Sequence, residues 1–199
     1  RSFHVTGVQT CALPIYAYDL LATNERIIAS TCVAAIGAFA GGRLRKVTYL
    51  SSSMVFESTD RWPSTEGDEL AVPPPHSSYG FQKLAVEYFA RAAWDQYGIP
   101  FTILRPFNCV GIGERRALGD VDIRSGSVSL AMSHVVPDLI QKVLKGQDPL
   151  HILGSGDQVR CYTYGGDLAR GIVESLDAPG TRNEDFNLST ATSTTVREL

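Results

Sequence analysis

Two short runs of strand-forming residues, Lys46 to Leu50 (KVTYL) and Phe101 to Leu104 (FTIL), flank one well-marked helix, and this order narrows the possible folds more than any other feature of the chain. From Ser78 to about Tyr97 the residues Leu84, Val86, Phe89, Ala90, Ala93 and Trp94 recur at helical spacing, and Gly98 with Pro100 ends the segment. Phe89 and Trp94 are read as core. The two flanking runs are short, apolar and rich in β-formers, as buried strands are. An earlier pattern from Asp19 to about Phe39, with Leu20, Leu21, Ile27, Ile28, Val33 and Ile36 on its apolar positions, predicts another helix that Gly41-Gly42 closes. Helix, strand, loop, helix, strand is the rhythm of an α/β fold on a parallel sheet, whose crossovers are nearly always right-handed. Ligands of such sheets sit beyond the carboxyl ends of the strands, where Ser51 to Ser53 and Arg105 to Asn108 fall.

The rest of the chain alternates less regularly. Glu57 to Ser78, with Pro63, Pro73, Pro74, Pro75 and Gly67, reads as an irregular surface connection, and loops of this length tend to be functional. Glu114 to Ser133 reads as a long loop, Pro137 to Lys145 as a short helix and His151 to Leu153 as a short strand. Asp167 to Leu176 follows as a helix, and Phe186 to Leu188 as an extended segment. This predicts a smaller, mixed lobe over residues 114–199, set against the sheet domain of residues 16–113.

Charge and cysteine spacing exclude several functions. With 18 Lys and Arg against 21 Asp and Glu, the net charge of -3 carries no basic stripe, which argues against nucleic acid and anionic membrane as partners. Cys11, Cys32, Cys109 and Cys161 form no CxxC pair and lie beside no His cluster, so neither a metal site nor a disulfide framework is expected; a reducing cytoplasm fits. No apolar run approaches the roughly 18 residues needed to cross a bilayer. His76, His134 and His151 are read as surface or satisfied core residues.

Residues 1–15 stand apart from this pattern. Val5 to Ile15 (VTGVQTCALPI) resembles the frame translation of a common sequencing-adapter read and matches it at every residue, the other reading being a genuine N-terminal strand and turn. On the first reading the natural sequence begins near Tyr16, in the middle of a gene, and the stop at Leu199 inside a helical pattern suggests truncation there as well.

Tyr79 and Lys83 lie four residues apart in the predicted helix, hence on one face, one turn from each other. A free tyrosine loses its proton near about pH 10. A fixed cation beside it favours the phenolate and makes the group a usable acid and base near neutrality. Many helices carry such a pair on a solvated face, so its meaning depends on context. Ser52, at the carboxyl end of the first strand, supplies that context: its hydroxyl beside the phenol would hold a substrate oxygen during proton transfer while hydride leaves the same carbon.

In this order, KVTYLSSSMVF, a proline-rich gap and SSYGFQK resemble the extended short-chain dehydrogenase/reductases, whose strand ends in an SS-x-x-V-Y-G-like motif before Y-x-x-x-K. The resemblance covers essentially Asp19 to Leu199. It implies a Rossmann-like parallel sheet, N-terminally truncated in this chain, with a smaller mixed C-terminal substrate lobe. It also implies Ser52, Tyr79 and Lys83 as the catalytic trio, with NAD as cofactor and NADP not excluded. Tyr79, Lys83, Ser51 and Asn24 are the candidate cofactor contacts. For Ser51, as for Ser53, satisfying loop backbone groups is the structural alternative. Asn24 falls where the family has an ordering Asn, but Asn24-Glu25-Arg26-Ile27-Ile28 replaces the usual N-x-x-G-T, so a purely structural role stays open. Phe56 and Glu57 depart from the usual Tyr-Gly, which puts the shape of that loop in doubt.

Two further segments match. LRPFNCVG, Leu104 to Gly111, is similar to the family segment whose Asn contacts the substrate diphosphate region, which implies that role for Asn108; a loop-capping amide is the alternative. Gly154 to Ile172 resembles G-x-G-x-x-x-R followed by V-D-D-x-A, which makes Arg160 the diphosphate arginine rather than an ordinary surface one. Arg105, Pro106 and Asp167 read as structural, Asp167 as a cap or brace for the helix that follows. Gly111-Ile112-Gly113 lacks the third glycine and the βαβ unit of a dinucleotide fingerprint.

The resemblance implies transient oxidation of a nucleotide-sugar carbon and return of the hydride. Dehydratases and decarboxylases of the group carry acids just after the catalytic Ser or Thr, where this chain has Ser53 and Met54. An epimerase of the UDP-sugar 4-epimerase type is therefore expected first. A ketoreductase or dehydrogenase comes second, and a non-catalytic nucleotide-binding relative third. A homodimer is expected for the full-length enzyme. The cofactor fingerprint belongs to a first βαβ unit not found in this chain, so this polypeptide alone is expected to bind cofactor poorly, to fold marginally and to be inactive by itself.

Overall fold

The structure is a computed structural model. It describes residue 28, residues 32–111 and 134–199, and the backbone of two short strands at 123–125 and 128–130. The adapter-like residues 1–15, the first part of the segment expected as a helix from Asp19, and Asn24 lie outside the described residues.

The first described helix, α1, covers residues 32–40 and ends on a tight turn in which Arg43 N donates to Ala38 O at 3.0 Å and Gly42 takes the left-handed conformation. Strand β1 follows at Val47–Leu50. After the proline-rich connection comes helix α2, Ser78–Tyr97, closed by Gly98 at φ 67°. Strand β2, Phe101–Pro106, then pairs in parallel with β1, Val47 opposite Phe101 and Leu50 opposite Leu104. Residues Phe101 to Arg105 are all buried, as a central strand of a parallel sheet requires.

The third strand of this sheet comes from far along the chain. Beyond β2 lie the short strand β3, Cys109–Val110, the antiparallel pair β4 (Ile123–Ser125) and β5 (Val128–Leu130), and helix α3, Val135–Leu144. Then come β6 (Val159–Arg160), β7 (Thr163–Tyr164) and helix α4 (Gly165–Asp177). Strand β8, Glu184–Leu188, returns to pair in parallel with β2, giving the order β1-β2-β8, and β9 (Thr194–Thr195) pairs antiparallel with β6. The segment expected to be merely extended at Phe186 to Leu188 is thus an integral strand of the main sheet.

Alternation along the strands sorts the two faces. Val47, Tyr49, Phe101 and Ile103 pack with Val86 and Ala90 of α2, whereas Thr102 points the other way and donates its hydroxyl to Thr181 O at 2.6 Å. Lys46 reinforces that second face, donating to Ser175 O near the end of α4. Cations are favoured at that end of a helix.

Three expectations are corrected. Phe89 and Trp94 are not core; they are 49% and 38% exposed, because α2 turns a stripe containing Gln82, Lys83, Glu87 and Ala90 toward the sheet. The run from Glu114 to Ser133 is not simply a loop, since β4 and β5 pair within it with Ser125 opposite Val128. Two residues, Gly126-Ser127, separate that pair, which is a recognisable hairpin signature. His151 to Leu153 is not a strand: His151 N donates to the Gln147 side chain and His151 O accepts from Lys142 Nζ at 2.9 Å, so side chains take the bonds a neighbouring strand would supply.

Candidate active site

At the carboxyl end of β1 the backbone is held before it turns. Ser51 N donates to Leu104 O at 2.8 Å, and Ser52 then caps a short 3-10 turn, Ser53–Phe56, its Oγ accepting from Met54 N at 3.2 Å. Ser52 is buried. The turn packs Val55 and Phe56 against Leu84 of α2 and Phe107, with the Phe56 and Phe107 ring centroids 6.2 Å apart. Phe56 therefore serves as core.

Glu57, the other departure, joins this turn to the start of α2. Its Oε2 accepts from both the amide and the hydroxyl of Ser77, at 2.9 and 2.8 Å, while Ser77 Oγ accepts from Gly80 N. A carboxylate at a helix N-terminus is favoured by the exposed amides and the helix dipole. The approach is close enough to require glycine at position 80, where a Cβ would lie 2.7 Å from both Met54 O and Pro75 Cβ. Gly80→Ala is expected to cost about 1–3 kcal/mol through overpacking. In contrast, Gly37→Ala in α1, where nothing lies within 4 Å, should stabilise slightly. Urea unfolding midpoints of the two variants, moving in opposite directions, check this.

Tyr79 and Lys83 project from the first turns of α2. Lys83 is almost wholly buried; its Nζ donates to Leu50 O at 2.8 Å and lies 5.6 Å from the centroid of the Tyr79 ring. The ammonium thus meets both the phenol and the strand end two residues before Ser52. Tyr49 is a different case. Burial, and secondarily the nearby Cys32, push its phenol up to about 12, so it cannot act as a base near neutrality.

Behind these residues lies an ion network on Arg105, which no solvent reaches. Arg105 Nε and Nη2 donate to the two Glu87 oxygens at 2.8 and 2.7 Å, Nη1 donates to Asp185 at 2.6 Å, and Glu69 Oε1 lies 2.8 Å from Nη2. Arg91 closes the outer side through Glu69 at 2.9 Å. Burial works against the Arg105 charge, but the Glu87 bonds and the three carboxylates overcome it and raise its pKa. Glu69, Glu87 and Asp185 escaped the sequence reading. Glu87 carried a signal, since it continues the four-residue spacing Tyr79, Lys83, Glu87.

The remaining expected residues are distributed as follows. Ser51 is buried, and its hydroxyl donates to the Glu87 carboxylate rather than to a loop backbone group. Asn108 sits at the mouth of the sheet with φ 39°, its carbonyl accepting from Thr163 N, and β3 pairs with β7 there. Arg160 is exposed on β6 and donates to its own strand's Val159 O at 2.7 Å. Asp167 lies in the first turn of α4 and pairs with Arg170, bracing the helix without a side-chain capping bond. His76, His134 and His151 are all exposed. Among the described residues no helix is long and apolar enough to cross a membrane.

Comparison with known proteins bears on this geometry. A UDP-glucose 4-epimerase of Lacticaseibacillus casei is 29% identical over 157 residues, which cover 74% of this chain and 44% of that protein. A GDP-L-fucose synthase of Dictyostelium discoideum is 32% identical over 132 residues, covering 63% of this chain and 37% of that one. In fold, the chain is similar to the solved UDP-N-acetylglucosamine 4-epimerase of Methanobrevibacter ruminantium M1, with a TM-score of 0.70 at 23% identity over 94% of this chain and 55% of that one. The chain thus spans about half or less of the length of these relatives. The α/β fold with its parallel Rossmann-like sheet is shared with them. The model of the NAD dependent epimerase/dehydratase family matches residues 16–189, and the chain belongs to that family.

Proposed function

We propose that these residues belong to a sugar-nucleotide epimerase of the UDP-sugar 4-epimerase type, dependent on NAD. The observation that carries this reading is the buried Lys83 ammonium, which lies over the Tyr79 ring and is tied to the strand end beside Ser52. The donor set fits a nicotinamide ribose: a half-buried phenol and a fixed ammonium stand at the carboxyl end of a parallel sheet, where dinucleotides bind. Tyr79 and Lys83 would hold the cofactor. When bound, the nicotinamide accepts and returns the hydride.

The chain's own residues handle the proton and the substrate. Ser52 holds the reacting hydroxyl, and Tyr79 takes its proton and later restores it, with Lys83 favouring the phenolate. Asn108 and Arg160 hold the diphosphate, Arg160 by exchanging its bond to Val159 O for phosphate oxygens. Epimerisation needs no second acid or base. Ser53 and Met54 supply none, and the next acid along the chain, Glu57, is committed to Ser77.

The test is a discontinuous assay on an enzyme carrying these residues at its relatives' length, offered UDP-galactose with catalytic NAD and no added reductant. The expected product is UDP-glucose, at equilibrium and without net cofactor reduction. Net consumption of a reduced nicotinamide would identify a reductase instead, a reading that the likeness to GDP-L-fucose synthase supports. Formation of a dehydrated keto-sugar would overturn the argument from Ser53 and Met54.

A further inference from the structure

We infer that Glu87 is a positioning residue that acts through Ser51 to fix Ser52, an inference that rests on reading Ser52 as the group holding the substrate oxygen. Tyr79, Lys83, Glu87 and Arg91 follow one another at four-residue intervals along α2, so a single stripe of the helix carries the proposed acid/base, its cation and the buried ion network. Two members of the stripe grip the end of β1 at consecutive residues. Lys83 Nζ donates to Leu50 O at 2.8 Å, and Glu87 Oε1 accepts from Ser51 Oγ at 2.5 Å. Ser51 N is held in turn by Leu104 O. The two residues that precede Ser52 are thereby fixed from the helix and from the neighbouring strand.

Glu87 is suited to this task because it cannot move. It is fully buried, both its oxygens accept from Arg105, and Arg105 is itself held by Asp185 and Glu69. The network spans α2, β2, β8 and the loop between β1 and α2, so its position is set by the whole sheet rather than by the turn it supports. Ser51 adds a neutral donor to a carboxylate that two guanidinium nitrogens already satisfy, so the bond contributes little to holding Glu87. Its larger consequence is for the partner with freedom to lose, the strand end at Ser51 and the hydroxyl of Ser52 next to it.

Ser51→Ala removes this bond and leaves the Glu87–Arg105 pair in place. The readout is amide hydrogen exchange at Met54 in the 199-residue chain, because the Met54 N–H bonds to Ser52 Oγ and so reports directly on Ser52. Met54 exchange is expected to quicken by about tenfold, the scale of one lost hydrogen bond, while the amides of Ile103 and Leu104 in β2 stay as slow as before. Unchanged exchange at Met54 would overturn the inference. Equal acceleration at Met54 and in β2 would overturn it as well, since the bond would then serve only bulk stability. The measurement needs neither substrate nor cofactor. A failure of the epimerase assay would therefore count against the proposed function, and the Met54 result would still judge whether Glu87 fixes Ser52.

Discussion

Arg105→Ala is expected to lower the unfolding free energy of the chain by about 3–5 kcal/mol, the cost of leaving a buried ion cluster without one of its partners. Arg105 is enclosed by Glu87, Glu69 and Asp185, all within 2.8 Å of a guanidinium nitrogen. Without Arg105, the three acids are left to Arg91, which is a quarter exposed and reaches Glu87 and Asp185 only at 3.5 and 3.7 Å. A domain has about 5–15 kcal/mol of net stability, so the loss takes a large share of it. Arg105→Lys should recover only part of the loss, because one ammonium cannot reach three carboxylates in the directions a planar fork does. Equilibrium urea unfolding of the three proteins checks this. A loss below about 1 kcal/mol for Arg105→Ala would mean that the acids relax to water instead.

How far this was legible in the sequence follows from what each signal depends on. Helix α2 was predicted over the span it occupies, because its apolar spacing is periodic and its end is local chemistry, a left-handed glycine. Strand β2 was legible because a central parallel strand is buried on both faces, and β1 because it is a short run of β-formers. Phe89 and Trp94 were misplaced because the inward face of α2 carries Lys83 and Glu87, whose charges meet Leu50 O at the end of β1 and Arg105 on β2. A hydrophobic count along one helix cannot see those partners. Likewise β8 is a strand of the main sheet because β2 offers it an edge, and that edge is supplied by residues about eighty positions away.

The site divides in the same manner. Tyr79 and Lys83 lie on one helical face by spacing alone, and the structure places the ammonium over the ring. Ser51 could have been oriented by counting: Val47 and Tyr49 face α2, and the next residue of that alternation is Ser51, which meets Glu87. Glu69 could not, because the proline-rich connection has no periodicity from which to read a direction. Its Oε2 accepts from Gly67 N while Oε1 faces the arginines, and that arrangement depends on how the loop folds back.

In an enzyme carrying these residues at its relatives' length, and on the proposed function, Tyr79→Phe should reduce turnover of the sugar nucleotide by about 10²- to 10⁴-fold, the range that a positioned general acid/base contributes, with little change in KM. The substitution removes one oxygen and keeps the ring. The contact with Lys83, 5.6 Å from the ring centroid, survives, and so do the Lys83 bond to Leu50 O and the fold. A loss of activity with an unchanged unfolding midpoint therefore isolates the proton-transfer role from packing. Tyr49→Phe provides the contrast: Tyr49 belongs to the core, its phenol is raised to about 12 by burial, and its loss should leave kcat within about twofold, since no proton step is asked of it. If Tyr79→Phe turned over as fast as the parent, the phenol would be excluded as the acid/base. If the two variants lost activity equally, the effect would belong to packing around β1.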